Sequence, residues 1–295
     1  MSSGPRRILP RMLQLTAIAT LDVSAASGLV ALPDRLCLVA DDEMFLSVYR
    51  PDGTPLQRIR LFPEVLPDEH VERKRRKADL EAVALLPGRR VMAFGSGSTA
   101  GRRRGAIVDP VREVPARVID LGPLYDRLAT DVPDLNIEGA AVSGDGLWLL
   151  QRGNGPARFN ATIELDLAGV MTSLEAGASI DARALRSITR VELGELDGVA
   201  LSFTDAIARP GGGLIFSAAA EDTASTYADG ACAGSIIGTL VDGRVTERVT
   251  VDPTVKLEGI AYAGAGGSGP DLWLVADPDD REVRATLHRA TLPFR

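Results

Sequence analysis

The sequence predicts an all-β fold, a five-bladed β-propeller whose closing blade is shared between N- and C-terminal strands. Three observations predict it. Short apolar runs recur along the 295 residues, each behind a turn bearing Pro, Gly or Asp. A second, similar stretch precedes five of these runs at intervals of 54 to 66 residues. The 37 residues after Glu258 fall short of a repeat, and the residues ahead of Ser27 make up the difference.

The elements follow in order. First strands read Ser27–Ala31, Glu81–Leu85, Glu138–Val142, Thr204–Ala208 and Glu258–Tyr262. Second strands read Arg35–Ala40, Arg90–Phe94, Leu147–Leu150, Leu214–Phe216 and Leu272–Ala276. Outer strands are expected at Leu56–Leu61, Ala116–Leu121, Ile188–Leu193 and Arg244–Val251, and Leu13–Leu21 would complete the last blade. Helical spacing is confined to Pro67–Lys77 and Ile180–Ser187. Four-stranded blades arranged radially around a channel account for such a pattern, and residues 1–295 form one propeller domain on this reading.

Composition removes several function classes. Apolar residues at 45 % and charged residues at 25 % are ordinary for a soluble globular chain. No apolar run approaches the roughly 18–20 residues of a membrane span. A net charge of −7 argues against phosphate-backbone binding, and 4 % aromatics argue against base stacking. The expected partner is a small molecule, with no nucleic acid, no membrane and no obligate protein partner in view. Cys37 and Cys232 are too few for a disulfide framework or a cysteine-rich zinc site and read as small buried hydrophobes. His70 and His288 are too few for a histidine metal cluster. Arg6-Arg7 followed by Ile8–Ala19 imitates a secretion signal, but Pro10, Arg11 and Gln14 interrupt it. The expected location is the cytoplasm, with secretion or the periplasm as the alternative.

First strands line a propeller's channel, so equivalent residues form a ring: Ser27, Glu81, Glu138, Thr204 and Glu258. Three carboxylates in one ring repel each other and lose hydration, so they take up protons or share a cation. All five side chains offer oxygen, which points to a hard cation, and Ca²⁺ with its 6–8 flexible ligands suits a channel better than Mg²⁺. The competing reading is that each Glu only caps backbone amides at a strand start. Leu80, Ile137 and Leu257 precede the three glutamates, and this Leu/Ile-Glu-Gly/Ala pattern resembles that of phytase-like calcium propellers. The order Ser, Glu, Glu, Thr, Glu is similar to that of the calcium-activated nucleotidases (apyrases), with Thr204 where a serine is expected. That resemblance implies one axial Ca²⁺ held by the ring, with hydrolysis of nucleoside phosphates beside it. The segments Gly95-Ser-Gly-Ser-Thr99, Gln151-Arg-Gly-Asn154 and Ala219-Ala-Glu-Asp222 resemble an uncharacterised bacterial propeller family more closely, which brings no activity with it.

Those segments end the second strands at the same channel mouth, where loops on a rigid scaffold carry binding chemistry. Ser96, Ser98, Gln151, Arg152, Asn154 and Asp222 are expected to bind substrate there, Arg152 as a clamp for an anion or else as a structural salt bridge. Asp42, Glu221 and Asp277 are the candidate general bases. The run Arg73–Lys77 reads as a solvated face or a phosphate-attracting rim. Gly264-x-Gly266-x-x-Gly269 opens no helix of a βαβ unit, so it reads as a turn. The functional expectation is a Ca²⁺-dependent hydrolase of phosphate anhydrides or esters. Its alternatives are a non-catalytic binding propeller with structural calcium and a lactone or carboxylic-ester hydrolase.

Overall fold

A computed structural model of the chain describes residues 12–112, 114–222, 232–266 and 269–294. Strand β1 (Thr16–Thr20) leads into blade I, built from β2 (Ala26–Leu32), β3 (Arg35–Ala40), β4 (Phe45–Tyr49) and β5 (Pro55–Arg60). Helix α1 (His70–Arg76) precedes blade II, which holds β6 (Leu80–Leu86), β7 (Arg90–Gly95), β8 (Arg104–Val108) and β9 (Arg117–Asp120). After α2 (Gly122–Leu128), blade III takes β10 (Ile137–Ser143), β11 (Gly146–Gln151), β12 (Ala161–Asp166) and, beyond α3 (Leu167–Ala176), β13 (Leu185–Arg190). Blade IV has five strands: β14 (Glu195–Leu196), β15 (Val199–Ala208), β16 (Leu214–Glu221), β17 (Cys232–Val241) and β18 (Arg244–Thr250). Blade V joins β19 (Leu257–Ala265), β20 (Pro270–Ala276) and β21 (Thr286–Thr291) to β1, which pairs antiparallel with β21. The expected closure by the N-terminal strand is present. Leu13 adds a second tie, donating its N–H to the Thr250 carbonyl of blade IV at 2.8 Å.

The core is divided into five wedges, one between each pair of neighbouring blades. Alternation along one strand explains how. Val83 of β6 packs toward blade I, whereas Ala82 and Ala84 face blade III. Both faces of each sheet are covered, so the inner strands read as nearly continuous apolar runs rather than as alternation. Phe203 and Phe216 meet edge-on in the blade III–IV wedge with ring centroids 5.2 Å apart. Each such buried side chain contributes roughly 1.5–3 kcal/mol.

Two helices were not expected from the sequence, and one expected helix is absent. Both α2 and α3 fill the blade II–III wedge, where Leu124, Tyr125, Leu128, Val170 and Leu174 are buried. Asp166 caps α3 by accepting the Gly169 N–H at 2.6 Å. Residues 180–187, expected to be helical, form only a 3₁₀ turn at Ala182–Ala184 before entering β13. Ladder pairing of Ile188 and Thr189 with β12 outweighs the local helical spacing.

Candidate functional site

Every ring position falls on an irregularity of its blade's inner ladder. The register slips between Ala26 and Leu29, Leu80 and Ala82, Ile137 and Gly139, Phe203 and Asp205, and Leu257 and Gly259. A bulge re-aims one side chain, and here it does so at the same place in all five blades. Glycine follows three ring residues because the inner strands crowd together at the axis. A Cβ on Gly28 would lie 2.8 Å from the Val83 nitrogen, and one on Gly259 would lie 2.2 Å from the Ser27 carbonyl oxygen.

Ser27, Glu81, Glu138 and Glu258 share a narrow axial funnel of about 70 Å³. Thr204 does not join them: it is buried and its hydroxyl donates to Ser217 Oγ at 2.8 Å. Its neighbour Asp205 points into the ring of inner strands, accepting the N–H groups of Ile260 at 2.9 Å and Ala206 at 2.8 Å. Burial pushes the Asp205 carboxyl up, against those two amides and the N–H groups of Leu29 and Ala140. One carboxyl thus ties together strands of blades I, III, IV and V.

The residue two places before each ring position decides what the ring glutamate touches. Asn136 Nδ2 donates to Glu138 Oε1 at 2.7 Å, and Lys256 Nζ lies 3.0 Å from Glu258 Oε1. Asp79 occupies the same place before Glu81 and adds a like charge. Burial first, then the charges of Glu138, Asp79 and Asp41, hold the Glu81 carboxyl well above the usual carboxylate range. Burial also pushes Glu138 up to about 8 against the opposing charge of Arg152.

Buried cations thread this acidic mouth. Arg152 lies 3.2 Å from Glu138 and 2.6 Å from Glu221, and Lys256 lies 2.8 Å from Glu221 and 2.7 Å from Asp279. Burial works against the Glu221 anion, but the Arg152 and Lys256 charges hold its carboxyl below its ordinary value. On the other side Lys77 bridges Asp41 and, at 2.9 Å, Asp79, while Arg102 contacts Asp79 at 2.8 Å. Seven carboxyls (Asp41, Asp79, Glu81, Glu138, Glu221, Glu258, Asp277) therefore face five cations, Lys74 lining the funnel with the other four. Among the described residues Glu81 makes no ion pair, although one oxygen from each of Asp41, Asp79 and Glu81 lies within 4.8 Å of the others. The funnel opens beside a cavity of about 290 Å³ lined by Asp41, Asp42, Arg73, Lys74, Lys77, Asp277 and Arg281, among others.

The residues expected at the mouth divide by depth. Arg152, Asn154 and Asp277 line the funnel, and Asp42 lines the adjoining cavity 3.6 Å from Arg281. Burial pushes the Asp277 carboxyl up to about 8. Ser96, Ser98 and Gln151 stand behind the lining. Ser96 donates to Asp79 at 2.5 Å, Ser98 accepts from Arg102 at 2.9 Å, and the Gln151 amide is spent on the backbone of Asp134, Asn136 and Arg152. Glu221 is buried between its two cations, and Asp222 is exposed outside both cavities. Arg152 spends both amino groups on Glu138 and Glu221. Sequence reasoning missed Asp79, Asn136 and Lys256, and reached Lys77 only as part of the basic run Arg73–Lys77. A signal existed: of 33 basic residues only Lys74, Lys77 and Lys256 are lysines, and all three line this mouth.

Fold and site together define a five-bladed β-propeller with a cation-threaded acidic mouth. The chain belongs to the family of unknown function DUF6929, whose model matches residues 22–292. No curated protein matches the sequence. The fold is similar to that of glutaminyl cyclase from Myxococcus xanthus, with a TM-score of 0.52 and 12 % identity over 96 % of this chain and 99 % of that one. A glucose dehydrogenase gives 0.49 and 13 % over 95 % and 99 %, and a luciferin-regenerating enzyme gives 0.47 and 13 % over 90 % and 78 %. At such identities the likeness is one of fold. No helix among the described residues is long and apolar enough to cross a membrane.

Proposed function

We propose that the mouth binds a hard divalent cation, Ca²⁺, and that the protein is a Ca²⁺-dependent hydrolase of small phosphate esters or anhydrides. The carrying observation is the convergence of Asp41, Asp79 and Glu81, an all-oxygen donor set in which Glu81 makes no ion pair among the described residues. These donors fit a hard ion, which when bound supplies Lewis-acid polarisation of a substrate oxygen. Asp41, Asp79 and Glu81 would hold it, with Ser27 and Glu138 beside them in the funnel. Asp277 carries its proton at neutral pH and is placed to give it to a leaving group. Asp42, in the adjoining cavity, is the candidate to take a proton from water, whereas Glu221 is locked by Arg152 and Lys256 and stays an anion. Arg73, Lys74, Lys77 and Arg281 line that cavity beside five aspartates, so an anionic substrate relies on the bound ion and these cations to offset the carboxylates.

The test is a screen of nucleotides, phosphate monoesters, lactones and aryl esters with Ca²⁺ or with chelator. Turnover of a phosphate substrate that disappears with chelator and in Glu81→Gln is the expected result. Turnover that ignores chelator refutes the metal role. Tight binding with no turnover across the panel supports the second reading, a non-catalytic binding propeller. The observation in favour of that reading is that Arg152, expected to clamp a ligand, is already saturated by Glu138 and Glu221.

A further inference from the structure

We infer that Lys77 is a tethered counter-ion that occupies the cation position of the mouth and restricts it to divalent ions; this rests on the cation reading above. The Lys77 ammonium is buried, contacts Asp41 and lies 2.9 Å from Asp79. Those are two of the three carboxylates whose oxygens converge. An ammonium is a compact, strongly hydrated point charge, close in character to a metal ion, whereas a guanidinium is a flat fork suited to bridging. This chain uses the two cations accordingly. Arginines carry nearly all the positive charge elsewhere, and Arg152 forks between two carboxylates, while lysine occurs only at the mouth.

Charge balance supplies the selectivity. Asp41, Asp79 and Glu81 face Lys77 and Arg102, so three carboxyls meet two cations. With Glu81 ionised, a divalent ion in place of the ammonium balances this corner, two carboxylates against the ion and one against Arg102. A monovalent ion only repeats the charge it displaces and must also outcompete a partner held by its own chain. The displaced side chain has somewhere to go. Lys77 stands at the C-terminal cap of α1 and also lines the cavity of about 290 Å³, whose Asp42 and Asp280 carboxylates can receive it.

The experiment combines calorimetric Ca²⁺ titration of wild type, Lys77→Met and Lys77→Gln with NMR of protein labelled with ¹⁵N at the lysine side-chain nitrogens. Three lysines give three signals, and the one missing from Lys77→Met is assigned. Its signal in the wild type is expected to shift and exchange faster with water once Ca²⁺ is added. Removing the charge-assisted contacts is expected to tighten Ca²⁺ binding about tenfold in both variants. It also makes Ca²⁺ binding more sensitive to NaCl than in the wild type. Equal Ca²⁺ affinities in folded variants, or a Lys77 signal that stays put while Ca²⁺ binds, overturn the inference and leave the cation site standing. Failure of wild type and variants alike to bind Ca²⁺ overturns both. Should Lys77→Met not fold, Lys77→Gln and the wild-type NMR titration decide.

Discussion

Blades II and V present the same backbone at the mouth and opposite chemistry. In each the inner strand slips register around a ring glutamate, Glu81 or Glu258, and in each a leucine comes just before it. One place earlier, blade V carries Lys256 and blade II carries Asp79. Glu258 is therefore neutralised by its own strand, with Lys256 3.0 Å away, whereas Glu81 is crowded by a second acid. Blade III is intermediate: Asn136 donates to Glu138 but brings no charge. The repeat fixes where a carboxylate points, and a single neighbouring residue decides whether it is closed off or left open to a ligand.

Four measurements test the contrast between the two blades. The largest effect is expected from Lys256→Met, which strips the counter-charge from Glu221, Glu258 and Asp279 together. Breaking such a buried network costs about 3–5 kcal/mol, to be read from urea unfolding. A loss under about 1 kcal/mol would mean that blade V is no better neutralised than blade II. Next, Glu81→Gln should reduce Ca²⁺ affinity by about 100-fold or more, beyond what supporting residues carry, while unfolding stability is retained. Unchanged calcium titrations would place the cation elsewhere.

A smaller, pH-linked effect follows from Glu138 and Asp277, both pushed up to about 8. Between the ordinary carboxylate range and pH 8 the folded protein binds more protons than the unfolded chain, so stability falls as pH rises through that window. Metal-free protein should unfold at higher urea at pH 5.5 than at pH 8, and Glu138→Gln should flatten the slope. A rising slope would contradict the burial of these carboxyls. The smallest effect is expected for Thr204→Ala, whose hydroxyl is turned to Ser217: calcium affinity should stay within about twofold. A larger loss would return Thr204 to the ring.

The repeat made the architecture legible. It placed all five inner strands, the closing strand and the four carboxyl or hydroxyl groups of the funnel, because spacing along the chain is preserved in the fold. It read Lys77 only as the end of a basic run beside α1, a helix whose place ahead of an inner strand is matched by α2 but without a lysine. It missed Asp205 because the repeat alignment took Thr204 as the polar residue of blade IV, although a carboxyl where the other blades carry Gly or Ala was a visible exception. It left Arg152 open between an anion clamp and a structural salt bridge, and set Gln151 at the ligand, because their partners, Asp134, Glu138 and Glu221, come from distant parts of the chain or from the next blade. The alternation of Asp79, Asn136 and Lys256 before the ring glutamates was readable, but only once the ring itself was known.

Blade V also sets a timetable. Its outermost strand, Thr16–Thr20, lies about 270 residues ahead of the partner it closes on, Thr286–Thr291. At translation speeds of 5–20 residues per second, the chain spends about 13 to 53 s as an open arc between making the two strands. During that interval the blade I face that ends against blade V, including Leu29, Leu36 and Leu38, has nothing to pack on. Slow codons placed after Leu257 would lengthen that exposure and are expected to raise aggregation more than the same codons placed before Ser27.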